Sequence, residues 1–302
     1  MRILVTGASG QVGSAVISAL RENYTVVAGD RSILDLSQPE SLPGTLDRVA
    51  PDVIINAAAY TAVDQAEDEP ALAMCVNATA PRVMAQWAAD QAVPFIHFST
   101  DYVFGGEGQR PWCEEDETAP LSVYGASKRA GEREIAAAGG CSLILRTSWV
   151  YAAKGKNFLR TMARLAGERA ELRVVADQIG APTSARLLAD SVGRMLAGGR
   201  DDLRARARQA RGVVHISASG AISWQQFASA IVEGLRSRGV KLAVVRIVPI
   251  SSDDYPTRAT RPRNSRLDLR RLREVFGITP PPWEQDLAPQ LDILARELVQ
   301  NA

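Results

Sequence analysis

Cysteine and histidine are scarce in this chain of 302 residues, which has three cysteines and two histidines. Cys75, Cys113 and Cys141 are odd in number and far apart, which argues against a disulfide framework and favours a reducing compartment. No C-x-x-C pair and no group of histidines offers ligands for zinc. His97 and His215 lie in apolar runs, and we interpret both as strand residues rather than metal ligands.

The sequence also lacks an excess of one charge and a long apolar run. Its 35 Lys and Arg residues balance 34 Asp and Glu residues, and the formal net charge of +1 gives no electrostatic argument for nucleic acid or an anionic membrane. The apolar run at residues 3–6 is too short for a signal peptide, and nothing approaches the roughly 18 apolar residues of a membrane span. We therefore expect a soluble, cytoplasmic protein without a nucleic-acid or membrane partner.

The first glycine-rich segment has the pattern of a dinucleotide-binding loop. An apolar run over residues 2–6 leads into GASGQVG, and a helical pattern follows. In such a loop Gly7 permits the tight turn, Gly10 lets the backbone approach a pyrophosphate, and Gly13 allows close packing of the helix. The helix N-terminus then offers free N–H groups to the anion. The position between strand and helix strengthens an otherwise weak motif.

Two charged residues follow the next predicted strand, where the coenzyme is selected. Asp30 ends the segment TVVAGD, close to where an acidic residue holds the adenosine ribose hydroxyls. Arg31 comes next, and its guanidinium suits a 2′-phosphate. Because the two side chains favour different coenzymes, both NADH and NADPH stay open.

A Tyr-x-x-x-Lys pair provides the candidate catalytic group. Tyr124 and Lys128 lie one turn apart on the same face of a predicted helix. We expect the Lys128 ammonium to favour the Tyr124 phenolate, so that the tyrosine exchanges a proton near neutral pH. Thr100, at the end of the preceding strand, is expected to complete a hydrogen-bonding corner around a substrate oxygen. Alone, the pair is a weak signal, because many solvated helices carry it.

Strands and helices alternate up to Tyr151 and predict an α/β fold, a doubly wound parallel (Rossmann) sheet with functional residues at its strand carboxyl ends. We expect a dinucleotide-binding domain over residues 1–150, to which later segments return, and a smaller, mainly substrate-binding domain over residues 151–302. Two features stay open. Asn77 is either locally bonded or structural near the site, and the basic loop Arg258–Asp268 either binds a diphosphate or is solvated.

These segments together resemble the extended short-chain dehydrogenase/reductases and, within them, the dTDP-4-dehydrorhamnose reductase family. The resemblance covers nearly the whole chain and rests on GASGQVG, NAAAYTAVDQAEDEP, STDYVFGG, YGASKRAGE, LRTSWVY with GKNF, DQIGAPT and RPRNSRLD. The glycine loop and Tyr-x-x-x-Lys are common to the superfamily, whereas TAVDQAE, TSWVY and DQIGAPT are more specific. It implies NAD(P)H-dependent reduction of the C4 keto group of dTDP-4-dehydro-L-rhamnose to dTDP-L-rhamnose, the last step of dTDP-L-rhamnose synthesis.

The resemblance also implies roles for individual residues. On the cofactor, Gly10, Gln11 and Val12 would hold the diphosphate, Asp30 the ribose, Asp35 and Leu36 the adenine side, and Ala59, Tyr60 and Thr61 would line its path. Thr100, Tyr124 and Lys128 would be catalytic, with Val63, Asp101 and Trp149 on the substrate side. Some family members pair through Mg²⁺ held partly by an acidic residue of the first helix. That position is Ala15 here, which speaks against a metal-bridged dimer and leaves monomer and homodimer open.

Two other functions are compatible with these motifs. One is a different nucleotide-sugar reductase, epimerase or dehydratase of the same superfamily, and the other is a non-catalytic nucleotide-binding subunit. A dehydratase typically carries Asp-Glu after its catalytic threonine, whereas Asp101 and Tyr102 follow Thr100 here. The complete Tyr-Lys-Thr set favours an enzyme over a regulatory subunit.

Overall fold

A parallel six-stranded sheet forms the centre of the fold in the computed structural model, which describes residues 1–300. The strands in this range are β1 (Arg2–Thr6), β2 (Thr25–Gly29), β3 (Val53–Asn56), β4 (Phe95–Thr100), β5 (Ser142–Thr147), β6 (Val150–Tyr151), β7 (Glu171–Val175), β8 (Ile179–Gly180), β9 (Thr183–Ser184), β10 (Val213–His215), β11 (Ile222–Ser223) and β12 (Arg246–Ile250).

Helices cover both faces of this sheet and build the rest of the fold. They are α1 (Gln11–Leu20), α2 (Leu42–Val49), α3 (Val63–Ala66), α4 (Pro70–Met74), α5 (Ala80–Asp90), α6 (Val123–Ala137), α7 (Phe158–Glu168), α8 (Ala185–Leu196), α9 (Gly199–Gln209), α10 (Trp224–Arg236), α11 (Arg270–Phe276) and α12 (Trp283–Gln300). Short 3₁₀ turns span Pro39–Ser41 and Asp101–Val103, and a π-helical turn spans Cys75–Thr79.

The strand order across the sheet is β10-β5-β4-β3-β1-β2, with every pair parallel. The chain passes from β1 to its neighbour β2 at the edge of the sheet, and then crosses over to β3, which pairs with β1 on its opposite edge. Crossovers from β1 therefore leave in opposite directions, which opens a crevice at the carboxyl ends of β1 and β3, the usual ligand position in such sheets. The predicted doubly wound α/β fold is confirmed.

Two hydrophobic clusters sandwich the sheet. On one face, Val16 of α1 packs with Leu188 and Val192 of α8 against the buried side chains of the strands. On the other face, Leu46 of α2 and Met84 of α5 close the second layer. Strands buried on both faces need almost continuous apolar sequence, and β3 and β4 are buried along their whole length.

A third cluster lies outside the sheet layers and belongs to the C-terminal half. Leu159 of α7, Phe227 and Ile231 of α10, and Leu291 of α12 meet there beside the paired strands β7 and β12. Between the segments that build this cluster, α8, α9, β10 and α11 return to the first cluster. The cleft described below lies where both groups of segments supply residues.

One strand ends earlier than the sequence pattern suggests. The apolar segment 142–151 reads as one strand, but β5 ends at Thr147 and β6 begins at Val150. Between them Trp149 adopts the left-handed region with φ of 49°, a conformation that redirects the chain out of the sheet. No helix among residues 1–300 is both long and apolar enough to cross a membrane.

Candidate active site

The glycine loop joins β1 to α1 and has no room for a side chain at Gly7 or Gly13. Gly7 has φ of 65°, and a Cβ atom there would lie 2.8 Å from the Cα of Ala58 on the loop after β3. A Cβ at Gly13 would lie 2.1 Å from the Gly7 carbonyl oxygen. Gly10 caps α1 without a side chain, so the first N–H groups of this helix are left for a ligand. The loop fits a diphosphate.

Beside this loop lies a second group of cofactor candidates, at the end of β2. Asp30 and Arg31 line the cleft together with Asp35 and Leu36. The Asp30 carboxylate accepts hydrogen bonds from the N–H (2.9 Å) and the hydroxyl (2.6 Å) of Ser32, which lower its pKa. Its Oδ1 atom takes both bonds, which leaves Oδ2 for a ribose hydroxyl.

The loop after β3 is held against α6, the helix that carries the candidate catalytic pair Tyr124 and Lys128. Asn77 is 1% exposed within the π-helical turn. Its Oδ1 accepts from the Tyr60 N–H (2.8 Å), while its Nδ2 donates to the Tyr60 carbonyl (3.0 Å) and to the Ser127 hydroxyl (2.9 Å). Asn77 therefore has a structural role near the site, since it fixes Tyr60 in the cleft wall.

Tyr124 and Lys128 lie in the first turns of α6, which begins at a Ser122 cap whose hydroxyl accepts from the Gly125 N–H. Burial raises the pKa of Tyr124 to about 12, the hydrogen bond with Thr100 opposes this rise, and the Asp101 charge adds to it. The expected lowering of the Tyr124 pKa by Lys128 is therefore not present in this structure. The phenol is protonated at neutral pH.

Lys128 is 1% exposed and turns its ammonium toward β4. Its Nζ donates to the Phe98 carbonyl (2.7 Å) and lies 3.0 Å from Nε2 of His97. Burial lowers the pKa of Lys128 to about 8, and the Glu132 carboxylate opposes this change. These contacts explain why the Lys128 charge does not act on Tyr124.

Asp101 follows Thr100 directly and is a buried carboxyl group in the cleft wall. The Thr100 hydroxyl donates to its Oδ1 (3.1 Å), whereas its buried Oδ2 has no partner. Burial raises the pKa of Asp101 to about 7, and the hydroxyl groups of the nearby Ser265 and Thr100 oppose this rise. A buried oxygen without a partner is costly, so Oδ2 is suited to a hydroxyl of a bound ligand.

Trp149 lies between Trp224 and Gly180. Its ring stacks on Trp224 with centroids 3.5 Å apart and planes 9° apart. A Cβ at Gly180 would lie 2.5 Å from Cε2 of Trp149 and 2.8 and 2.9 Å from Nε1 and Cδ2, which places it above the ring face. Since Trp224 covers the other face, the edge of Trp149 is what remains for the cleft.

The arginines of the basic loop are bonded within the protein. Arg261 makes a two-pronged contact with Asp64 at 2.7 and 3.1 Å and so attaches the loop to α3, beside Val63. The other three arginines also have partners: Arg258 lies against Asp68, Arg263 near Asp177 and Asp253, and Arg266 donates to Asn264. Arg261 thus has a structural role, whereas the side chains of Arg258 and Arg263 are 66% and 62% exposed to solvent.

One cleft of about 710 Å³ brings the predicted site residues together. Gly13 is outside its lining and supports the loop from within. The lining includes Gly7, Gly10, Gln11, Val12, Asp30, Arg31, Asp35, Leu36, Ala59, Tyr60, Thr61, Val63, Thr100, Asp101, Tyr124, Lys128 and Trp149.

Sequence reasoning missed two residues of this lining that bear on its shape. Trp224 was hidden because it opens an ordinary amphipathic helix, and only its contact with Trp149 identifies it. Asn157 caps α7 and its Nδ2 donates to the Gln11 side chain (2.9 Å), which joins the C-terminal half to the glycine loop. The motif GKNF was a signal for this second residue.

Within residues 1–300, no group of three or more His, Cys, Asp or Glu side chains is placed to hold a metal ion. Cys75, Cys113 and Cys141 are free thiols.

Comparison with known sequences gives full-length matches. Residues 1–296 match the family model described as the RmlD substrate binding domain. A dTDP-4-dehydrorhamnose reductase of Burkholderia thailandensis is 48% identical over 285 residues, which cover 94% of this chain and 95% of that protein. The enzyme of the same name from Escherichia coli K12 is 42% identical over 298 residues, 97% of this chain and 98% of its own.

Solved structures agree with these matches. A dTDP-4-dehydrorhamnose reductase from Clostridium acetobutylicum superposes with a TM-score of 0.89 at 34% identity, covering 97% of this chain and 99% of that one. The Bacillus anthracis protein of that name, in complex with NADP, has a TM-score of 0.81 at 32% identity, covering 100% and 99% of the two chains.

Proposed function

Because this chain belongs to the RmlD family of dTDP-4-dehydrorhamnose reductases, we propose that its cleft reduces the C4 keto group of dTDP-4-dehydro-L-rhamnose to give dTDP-L-rhamnose. It is an NAD(P)H-dependent oxidoreductase of the last step in dTDP-L-rhamnose synthesis. One observation carries the residue assignment: Tyr124, Lys128 and Thr100 line the same cleft as the glycine loop.

The cofactor half of the cleft fits a dinucleotide. The glycine loop and the N-terminus of α1 hold its diphosphate, because Cβ atoms at Gly7 and Gly13 would collide with backbone. Asp30 binds the ribose hydroxyls of NADH, and Arg31 offsets the repulsion between Asp30 and the 2′-phosphate of NADPH. Both coenzymes are therefore accepted.

The chemistry requires one proton from the protein. The bound dinucleotide supplies hydride to the C4 carbonyl carbon of the sugar, and negative charge develops on the carbonyl oxygen. Tyr124 donates the proton, since its raised pKa keeps the phenol protonated at neutral pH. Thr100 hydrogen-bonds the same oxygen and orients it. Lys128 holds the cofactor ribose with the hydrogen-bond direction of Nζ that Phe98 and His97 leave free.

The sugar half of the cleft is built by both halves of the chain. Val63 and the edge of Trp149 pack on the deoxysugar, and Oδ2 of Asp101 accepts a sugar hydroxyl. We infer that the C-terminal segments around the third hydrophobic cluster mainly serve substrate binding, whereas the sheet mainly serves the cofactor. The Mg²⁺ ion that the resemblance implies would bridge two chains rather than act on the sugar, and the position of its ligand in the first helix is Ala15 here.

The other functions receive less support from the site. A dehydratase needs a second acid or base after Thr100, and Asp101 is followed by Tyr102, whose buried phenol has a raised pKa. A non-catalytic subunit has no need of the complete Tyr-Lys-Thr set. The oligomeric state, monomer or homodimer, and the cytoplasmic location stay predictions of the sequence.

A direct assay tests the proposed reaction. The purified protein is incubated with NADH or NADPH and each of several keto-sugar nucleotides, and loss of the reduced coenzyme is followed by absorbance. We expect turnover with dTDP-4-dehydro-L-rhamnose and with both coenzymes. Turnover of a different keto sugar alone would show that this other sugar is the substrate. Cofactor binding without turnover of any sugar would favour the non-catalytic subunit.

A further inference from the structure

A chain of four buried polar side chains runs from the base of the glycine loop to Lys128. The Thr6 hydroxyl donates to Oδ1 of Asn56 (2.6 Å), Nδ2 of Asn56 lies 2.9 Å from Nδ1 of His97, and Nε2 of His97 lies 3.0 Å from Nζ of Lys128. Thr6, Asn56 and His97 are 0% exposed. His97 thus joins the catalytic lysine to two strand ends.

Lys128 has three hydrogen-bond directions as an ammonium. The Phe98 carbonyl and His97 take two of them on the β4 side. The third is left for the cleft, where Tyr124 and the cofactor candidates lie. Without His97 the flexible four-carbon side chain would lose one of the two contacts that fix its end.

The proton arrangement of His97 must follow that of Lys128. A neutral imidazole has one donor and one acceptor nitrogen. If Lys128 is a neutral amine, Asn56 Nδ2 donates to Nδ1, and Nε2–H donates to Nζ. If Lys128 is an ammonium, Nζ donates to Nε2, and the proton then on Nδ1 requires the Asn56 carboxamide to turn its oxygen to the ring. The Thr6 hydroxyl accepts or donates and so supports either arrangement.

We propose that His97 is a positioning residue for the reduction: it holds Lys128 Nζ so that its third hydrogen-bond direction is left for the cleft, and its tautomer changes when Lys128 gains or loses a proton. His97 lies outside the cleft lining and touches neither ligand, so it acts through Lys128 alone. The kinetic test rests on the proposed function, whereas the spectroscopic test does not.

Several groups around Lys128 affect its titration. Tyr124 and Glu132 lie on its own helix, and Glu132 is paired with Arg146 of β5 at 2.7 Å. His97 faces it from β4, and Asp101 lies in the turn that follows. Burial keeps His97 neutral by lowering its pKa well below the usual value. His97 is therefore the neutral acceptor for the ammonium, and its loss lowers the pKa of Lys128 further.

Two substitutions separate the contacts of His97. Gln places a polar atom near the position of Nε2 and keeps a partner for Lys128, whereas Asn reaches only as far as Nδ1 and keeps the contact with Asn56. We expect His97→Asn to lower kcat by roughly 10- to 100-fold, the range for a misplaced catalytic group, and to move the alkaline limb of the pH profile to lower pH. His97→Gln should retain most of the native kcat, and the alkaline limb of its pH profile should stay at the native position.

The spectroscopic test uses the native protein, which has only two histidines. With ¹⁵N-labelled histidine, we expect the ring nitrogens of His97 to exchange protonated and unprotonated shifts as Lys128 titrates, while the ring stays neutral. Lys128→Met should abolish this change. His215, whose ring does not contact Lys128, serves as the internal control.

Three outcomes would overturn the proposal. In the first, His97→Asn keeps the native rate and pH profile. In the second, both variants lose equal activity with the alkaline limb unmoved, which indicates a merely structural role. In the third, the ring shifts of His97 are constant across the titration of Lys128. The third outcome is measured on the native protein without substrate. It would therefore overturn the proposal even if both variants fail to fold or the substrate is a different sugar.

Discussion

The two walls of the cleft are built in different ways. The cofactor wall consists of short segments that follow β1, β2 and β3 directly, such as the glycine loop and Asp30. The substrate wall combines Trp149 after β5 with Gly180 and Trp224 from the C-terminal half. The first wall is local in sequence, whereas the second exists only after distant segments have packed.

Because of this difference, amino-acid substitutions should affect the two walls in different ways. Changes in the cofactor wall act on groups that meet the ligand directly, because backbone of the sheet already fixes the loop. Changes in the substrate wall act through packing, since Trp149 is held by two neighbours from another part of the chain. Binding of coenzyme and binding of sugar should therefore respond to separate sets of substitutions.

The largest expected effect lies where the two walls meet. Tyr124→Phe removes the proton donor and should lower kcat by roughly 10²–10⁴-fold, the usual range for a positioned acid. Coenzyme affinity, measured by fluorescence titration, should change little because the phenol serves the sugar oxygen. A variant that retains most of its kcat would remove Tyr124 from the mechanism.

On the substrate wall, Asp101 should make the stability of the protein depend on pH. Its folded-state pKa of about 7 lies above the unfolded value of ~3.9. The folded state therefore binds the extra proton, and stability falls as pH rises from about 4 to about 7. We expect Asp101→Asn to lack this fall.

Urea unfolding at pH 5 and pH 8 measures this difference, which should be on the order of a few kcal/mol at about 1.4 kcal/mol per pKa unit. The native protein should lose more stability between the two pH values than Asp101→Asn does. Identical losses would show that Asp101 is ionised in the folded protein at both pH values.

Gly180→Ala tests the packing of the same wall. The new Cβ would overlap the Trp149 ring, and we expect a loss of about 1–3 kcal/mol in the free energy of unfolding and a higher KM for the sugar nucleotide. Gly44→Ala in α2 is the matched control, because a Cβ there meets nothing within 4 Å. Equal effects of the two changes on the sugar KM would refute the role of Gly180.

The smallest expected effect concerns the cofactor wall. Arg31→Ala should weaken NADPH more than NADH, by about 1–2 kcal/mol, since an exposed charge-assisted contact is partly screened by solvent. Asp30→Asn should instead weaken NADH more. Dissociation constants for both coenzymes decide between these outcomes. An equal loss for both coenzymes in Arg31→Ala would show that this side chain points elsewhere.

The sequence was sufficient for features in which neighbours along the chain determine the geometry. The glycine loop, the end of β2 and the Tyr-x-x-x-Lys pair are of this kind. It was insufficient where distant residues meet, as in the Trp149–Trp224 stack and the contact of Lys128 with His97. The expected direction of the Tyr124 pKa was wrong for the same reason, because spacing identifies Lys128 as a neighbour but does not show burial.

Isotope transfer tests whether hydride passes from the coenzyme to C4 of the sugar in this cleft. NADPH that carries deuterium at the reactive nicotinamide C4 position is incubated with dTDP-4-dehydro-L-rhamnose, and the product is examined by proton NMR. We expect dTDP-L-rhamnose with deuterium at C4 of the sugar and none at C3 or C5, and transfer by Tyr124→Phe that is slower by the same factor as its kcat. Unlabelled sugar, or deuterium at another carbon, would contradict the proposed reduction at C4.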